Sequence, residues 1–222
     1  MDRDETMEAI SLEREQLEQS LKRVISKIGD IPIGNPQIMP YGWRKSAKGR
    51  TVWRIVEEII SQNLEKHHKD VGLKVVVPAS SEISVYDFEF VLSGERKSYV
   101  NIKSAVEKGK EQKDDISKAG KLLEFYAECG DSVLYVATFT ISFNTNMTIS
   151  LKDCTVFPIS WIPDIYVNPS NNGNLQSSKY KNIAVAHQRT NGEFVQELRE
   201  ELVFATDKKK KKMGAIKIEQ YS

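Results

Sequence analysis

Asp87, Glu89, Asn101 and Lys103 hold the chemistry available to the stretch Ser84–Ala105. Tyr86, Phe88, Phe90 and Leu92 are apolar at every second position, with Asp87, Glu89 and Val91 between them. Successive strand side chains point to opposite faces, so the alternation predicts a strand with aromatics on one face and both carboxylates on the other. In a second strand, Val100 and Ile102 alternate with Tyr99, Asn101 and Lys103. The polar segment Ser93-Gly94-Glu95-Arg96-Lys97 between them suits a hairpin loop. A turn centred near Glu95 would set Asp87 opposite Lys103 and Glu89 opposite Asn101, with cross-strand Cβ atoms roughly 5 Å apart. Carboxylates beside an amide supply the oxygen ligands that a hydrated divalent cation prefers.

The surrounding elements must position that hairpin. Residues 4–28 carry Met7, Ile10, Leu17, Leu21, Val24, Ile25 and Ile28 at helical spacing. They predict a long N-terminal helix, packed on the body or forming the narrow seam of a dimer. A second helix is expected from Thr51 to His67, with Glu57 and Glu58 near its middle and partly off its apolar face. Leu73–Val77 reads as a short strand before the hairpin, Asp114–Cys129 as a helix, and Val133–Phe143 and Thr148–Phe157 as strands. Ile183–Ala186 reads as another short strand. Thr190 and Glu193 have capping-box spacing and open a helix through about Phe204. His67 and His68 are adjacent on a helix and point about 100° apart, which makes them a poor metal pair.

Two segments suit phosphate or base contacts. Tyr41–Arg50 contains Arg44, Lys45, Lys48 and Arg50 among aromatics, and reads as a phosphate-contacting or solvated loop. Asn168–Lys181 reads as a loop of small polar residues. Its Asn171, Asn172, Asn174, Gln176, Ser177 and Lys179 are side chains suited to base edges or backbone. Lys208–Lys212 reads as a flexible basic tail, with contact to a phosphate backbone as the lesser alternative, and Ala215–Ile218 as a last edge strand.

Composition narrows the class without naming a partner. A charged fraction of 28% with 40% hydrophobic residues suits a globular chain. The net charge of +1 makes no statement about nucleic acid, because only a contact surface has to neutralise phosphates. No apolar run approaches the roughly 20 residues of a membrane helix, and MDRDETMEAI lacks the apolar core of a signal peptide. Cys129 and Cys154 form neither a disulfide framework nor a zinc spacing, so a reducing, cytoplasmic setting is expected. No nucleophilic serine or cysteine context and no phosphate-binding glycine loop is present.

The order helix, strand, hairpin, helix, strand resembles the PD-(D/E)XK nucleases, and among them the type II restriction endonucleases. Asp87 matches that family's first acid, Asn101-Ile102-Lys103 its (D/E)-x-K triplet, and Glu57 or Glu58 the carboxylate often found on the preceding helix. The resemblance covers about residues 50–204. It implies an α/β (α+β) fold with a restriction-endonuclease-like core: a mixed central sheet flanked by helices, here with a long N-terminal helix. It implies one nuclease domain over 1–222, with a helical arm at 1–36, a catalytic core at 50–204 and a basic tail at 205–222. The implied activity is Mg2+-dependent, sequence-specific hydrolysis of double-stranded DNA by a homodimer, with a cognate methyltransferase as a possible companion. Asp87 would bridge to the metal, Asn101 and the Ile102 carbonyl would complete the ligands, and Lys103 would hold the attacking water. Asn101 departs from the family's Asp or Glu and removes a charge that Glu89, opposite it in the expected register, would restore. The alternatives are a structure-selective or repair nuclease of the same superfamily, a catalytically inactive DNA-binding module, and an interaction protein dimerising through residues 4–28.

Overall fold

The structure, a computed structural model, describes residues 2–43, 48–81, 84–109, 112–170 and 173–219, with backbone only at 48–51 and 212–219. It is a mixed α/β fold. The helices are α1 (Arg3–Ile28), α2 (Lys48–His67), α3 (Ala119–Cys129) and α4 (Asn191–Glu219). The strands are β1 (Ile31–Pro32), β2 (Val75–Pro78), β3 (Phe88–Val91), β4 (Ser98–Val106), β5 (Asp114–Lys118), β6 (Leu134–Phe143), β7 (Thr148–Pro158), β8 (Tyr166–Asn168) and β9 (Asn174–Ser177).

The main sheet has six strands in the order β1-β7-β6-β4-β3-β2. β2, β3 and β4 form an antiparallel meander. The chain then crosses over through α3 to β6, which lies parallel to β4, and β7 returns antiparallel to β6. Helices cover both faces. Ser98, level with Phe90, donates to Glu13 of α1, whereas Tyr99, one residue on, packs edge-on to Phe125 of α3 at 5.1 Å. One contiguous apolar core runs from Met7 to Ala205. Fully burying a Phe or Leu side chain stabilises by about 1.5–3 kcal/mol, and Phe88, Phe90, Phe139, Phe157 and Leu21 are all fully enclosed.

The apolar stripe of α1 is spent inside the chain. Met7, Ile10, Leu17, Leu21 and Val24 are buried, and Tyr135 of β6 donates to Glu13 at 2.7 Å. The helix therefore packs on the body, and its stripe does not offer a dimer seam.

Several expectations change. Asp114–Lys118 is not the start of a helix but strand β5, because it pairs with β9 in a second, three-stranded sheet ordered β5-β9-β8. The same pairing makes strand and 3-10 helix of much of the expected polar loop at 168–181. Ile183–Val185 is a 3-10 helix instead of a strand. The last helix does not stop near Phe204: α4 carries the lysine run and the expected edge strand in helical form. Its capping box forms as predicted, with the Thr190 N–H donating to Glu193 at 2.7 Å and the Glu193 N–H to Thr190 Oγ1 at 3.2 Å.

Candidate active site

The hairpin forms with its faces as expected and its register displaced. Phe88 lies opposite Val100, Glu89 opposite Tyr99 and Phe90 opposite Ser98. The expected pairs Asp87–Lys103 and Glu89–Asn101 are not made. The turn centres on Gly94, whose φ of 71° is open to glycine at little cost, and not on Glu95. A displacement of two residues keeps every side chain within the paired strands on its predicted face, since strand parity is unchanged. It brings Asp87 level with Asn101. Glu89 instead meets Lys97 in an ion pair of 3.0 Å, so it is not the charge opposite Asn101. Tyr86 precedes β3 and leaves the Phe88 and Phe90 face, packing at a tilt against Tyr99 with ring centroids 4.7 Å apart.

The ladder between β3 and β4 stops at Phe88 and Val100, and the chain before it peels away. Three bonds tie the separated segment to β4. The Asp87 N–H donates to the Val100 carbonyl at 2.7 Å. Asn101 Nδ2 donates to the Val85 carbonyl at 3.0 Å. The Ile102 N–H, left without a main-chain partner on that edge, donates to Asp87 Oδ2. An open strand edge has thus been closed by a carboxylate instead of by another strand, and the Ile102 carbonyl lies along the same edge by strand geometry.

Glu57 of α2 completes the group. It lines a cleft of 540 Å³ with Arg54, Glu58 and Asp87. Burial pushes its carboxyl up to about 7; Lys103 and Arg54 pull the value down, and the Asp87 charge raises it further. Burial also raises Asp87, against the opposing effects of the Ile102 N–H and Lys103. The other helix candidate, Glu58, is exposed and accepts from Gln62 at 2.7 Å. Both glutamates border clefts that Asp87 lines; Glu57 is the half-buried one, and the Asp87 charge acts on it.

The oxygens present fit a hard divalent cation. Asn101 Oδ1 is enclosed and has no hydrogen-bond donor, while Asp87 uses Oδ2 on Ile102. With Glu57 and the Ile102 carbonyl, these are oxygens only, few in number, as suits Mg2+ that keeps several of its waters. Among the described residues no three His, Cys, Asp or Glu side chains gather into a cage of their own. The set here has two carboxylates, and its third side chain is a neutral amide.

The expected base- and phosphate-contacting residues lie elsewhere. Arg44, Lys45, Asn171 and Asn172 fall outside the described residues, as do the side chains of Lys48 and Arg50. Asn174, Gln176 and Ser177 are in β9. Ser177 is buried and donates to Asp164 at 2.6 Å, and Gln176 donates to Asp115 at 2.6 Å. Lys179 is exposed in a 3-10 helix. Arg54 was not singled out by sequence, although its place three residues before Glu57 puts both on one face of α2. It lies 4.5 Å over the Trp53 ring, at the cleft.

No family model matches the chain, and no curated protein matches it in sequence. Among the described residues no helix is long and apolar enough to cross a membrane.

Proposed function

We propose that this chain is a Mg2+-dependent endonuclease of double-stranded DNA, built like the type II restriction enzymes that its motif resembles. The observation that carries the reading is the convergence of Glu57, Asp87, Asn101 and Lys103 at the open edge of β4. The order of α2, the three-strand meander, α3 and the parallel strand β6 supports it.

Glu57, Asp87, Asn101 Oδ1 and the Ile102 carbonyl would hold the cation. When bound, Mg2+ supplies charge stabilisation to the phosphate oxygens and acidifies a water. Asp87 is fixed by the Ile102 N–H and so presents its remaining oxygen in one orientation. Asn101 serves twice: its amide nitrogen secures the Val85 segment, and its oxygen stays available. Lys103 brings a positive charge to the carboxylates and offers a donor to the attacking water and the phosphate. A two-fold dimer would present one such centre to each strand of a palindromic site, through a surface other than α1. A sequence-specific enzyme of this type would act beside a methyltransferase that marks the same site.

The test is incubation of the purified protein with plasmid DNA and Mg2+. Discrete fragments are expected, and none from Asp87→Ala or Lys103→Ala protein that still binds DNA. Persistent cleavage by both variants would overturn the site; no cleavage in Mg2+ or Mn2+ would overturn the activity.

A further inference from the structure

We propose that the part of α4 carrying Lys208–Lys211 is a binding arm for the phosphate backbone of duplex DNA, placed at the same end of the molecule as the Glu57–Asp87 cleft. The choice of DNA as the polyanion rests on the nuclease reading; the arm itself rests on separate observations.

The first half of α4 is anchored. Phe194, Leu198 and Ala205 are buried and Leu202 packs against the core, at helical spacings of four, four and three. Beyond Ala205 the side chains through Lys211 are all exposed. Consecutive helix positions are about 100° apart, so four successive lysines ring the helix with charge instead of lining one face. None of the four makes an ion pair or hydrogen bond among the described residues. Asp207 is the only acid between Thr206 and Lys211. Nor do these lysines serve the negative end of the helix dipole, which acts within the last turn, since α4 continues to Glu219. A self-repelling ring with one neighbouring acid and no ion pair among the described residues suits an external polyanion.

The packing of α3 and α4 shows where the ring points. Tyr99, near the start of β4, meets Phe125 and Cys129 at the C-terminal end of α3. That end of α3 meets the start of α4: Tyr126 lies 5.8 Å from Phe194, and Asn191 donates to Ser132 at 3.0 Å. At the other end of α3 the Ala119 N–H donates to Gly173, next to Leu202 of α4. The two helices are therefore antiparallel, and α4 runs in the direction of β4, from Tyr99 toward Lys103. At about 1.5 Å per helical residue and about 3.3 Å per strand residue, Ala119 and Leu202 come level with Lys103 or Ser104. Lys208–Lys211 then lie roughly 9–14 Å beyond that level. That offset along the sheet is shorter than one helical turn of duplex, about 34 Å. Duplex is favoured over an anionic membrane by the position of the ring at the cleft end; because Val203 and Phe204 are exposed just before it, lipid is made an arm of the test.

The experiment measures binding of the full chain to a labelled duplex in EDTA, where no cleavage occurs, over about 50–200 mM salt. Wild type is compared with a variant in which Lys208, Lys209, Lys210 and Lys211 are all changed to Gln, and with one in which all four become Arg. Each lost phosphate contact removes about 0.9 from the slope of log affinity against log salt, so the Gln variant's slope should fall by about 2–4. Its affinity should drop at least about tenfold at intermediate salt, while the Arg variant keeps both. An unchanged slope in the Gln variant would overturn the proposal, as would equal weakening by Gln and Arg, or wild-type preference for phosphatidylserine vesicles over duplex. Because no cleavage is read, failure of the nuclease reading leaves the slopes intact. Loss of the slope difference in turn leaves the Asp87→Ala cleavage test intact.

Discussion

Two acidic clusters in this molecule differ in how their charges are satisfied. In the small sheet, Asp114 accepts from Tyr180 Oη at 2.8 Å and pairs with Lys181, while Gln176 donates to Asp115 and Ser177 to Asp164. Each carboxylate there has a partner inside the chain, and the network ties β5, β9 and the 3-10 helix Lys179–Lys181 together. At the edge of β4 the arrangement is the reverse. Glu57 and Asp87 are half-buried at one cleft, both are raised, and the Asn101 oxygen has no donor. A buried polar group without a partner costs about 1–3 kcal/mol. One cluster has each of its carboxylates paired within the chain; the other sets two carboxylates of raised value beside an amide oxygen without a donor, which is the arrangement the proposed cation would complete.

The largest test of that difference exchanges one residue in each. Asp87→Ala should lower cleavage by at least about 10³-fold, in line with loss of a principal electrostatic group, in protein that still folds, with the freed Ile102 N–H costing a few degrees of Tm. Asp114→Asn should lower Tm by several degrees while leaving the cleavage rate per folded molecule unchanged. Equal losses of cleavage in both would erase the distinction between the clusters.

Glu57→Gln separates stability from function at one position. The Glu57 carboxyl has an ordinary value of 4.5 and stands at about 7 in the fold. The folded state therefore binds more protons between those values, and stability falls as pH rises through that window. Above pH 7 the full cost is present. After allowance for solvent screening at this partly exposed group it is about 1 kcal/mol. The Gln variant should thus melt about 2–4 °C higher than wild type at pH 8 without metal, and no higher at pH 4. The same change should weaken Mg2+ affinity roughly 10- to 100-fold, as changes around a metal site do. Calorimetry across pH, with and without Mg2+, reads both effects.

Asn101→Asp tests why an amide stands where an acid is expected. The added charge would favour a cation. It would also replace the Nδ2 donor with an oxygen facing the Val85 carbonyl, now 3.0 Å away. Metal-free Asn101→Asp protein should lose about 1–3 kcal/mol and recover part of it in Mg2+. An unchanged metal-free stability would show that the amide is not securing the Val85 segment.

The sequence made the faces of the hairpin legible but not its register, and the reason is physical. Alternation at Phe88, Phe90, Val100 and Ile102 reports parity, which a slip of two residues preserves. Register depends on where the turn folds, and the marker was Gly94, not the midpoint of the polar loop. Non-local pairing hid β5: Asp114–Lys118 has no strand pattern of its own and is extended because β9, far along the chain, accepts it. Glu57 could not be chosen over Glu58 from sequence, since the choice depends on how α2 rolls against β4. The extent of α4 was missed because its apolar stripe ends near Ala205 while its backbone continues.

Arg54 offers the smallest effect and the finest reading of the cleft. Its charge lowers the Glu57 value together with Lys103, against burial and Asp87. Removing it in Arg54→Gln should move Glu57 further up. Cleavage that requires ionised Glu57 rises with pH through that group's value, so the acidic limb of the pH–rate profile should shift to higher pH in the variant. At pH 8 and saturating DNA the rate should be nearly that of wild type, with KM raised about three- to tenfold if the guanidinium also holds a phosphate. Arg54→Lys should restore most of the limb, because a charge suffices to act on Glu57, and less of the KM, because an ammonium lacks the planar fork. A limb that does not move in Arg54→Gln would mean that Glu57 is not the ionising group.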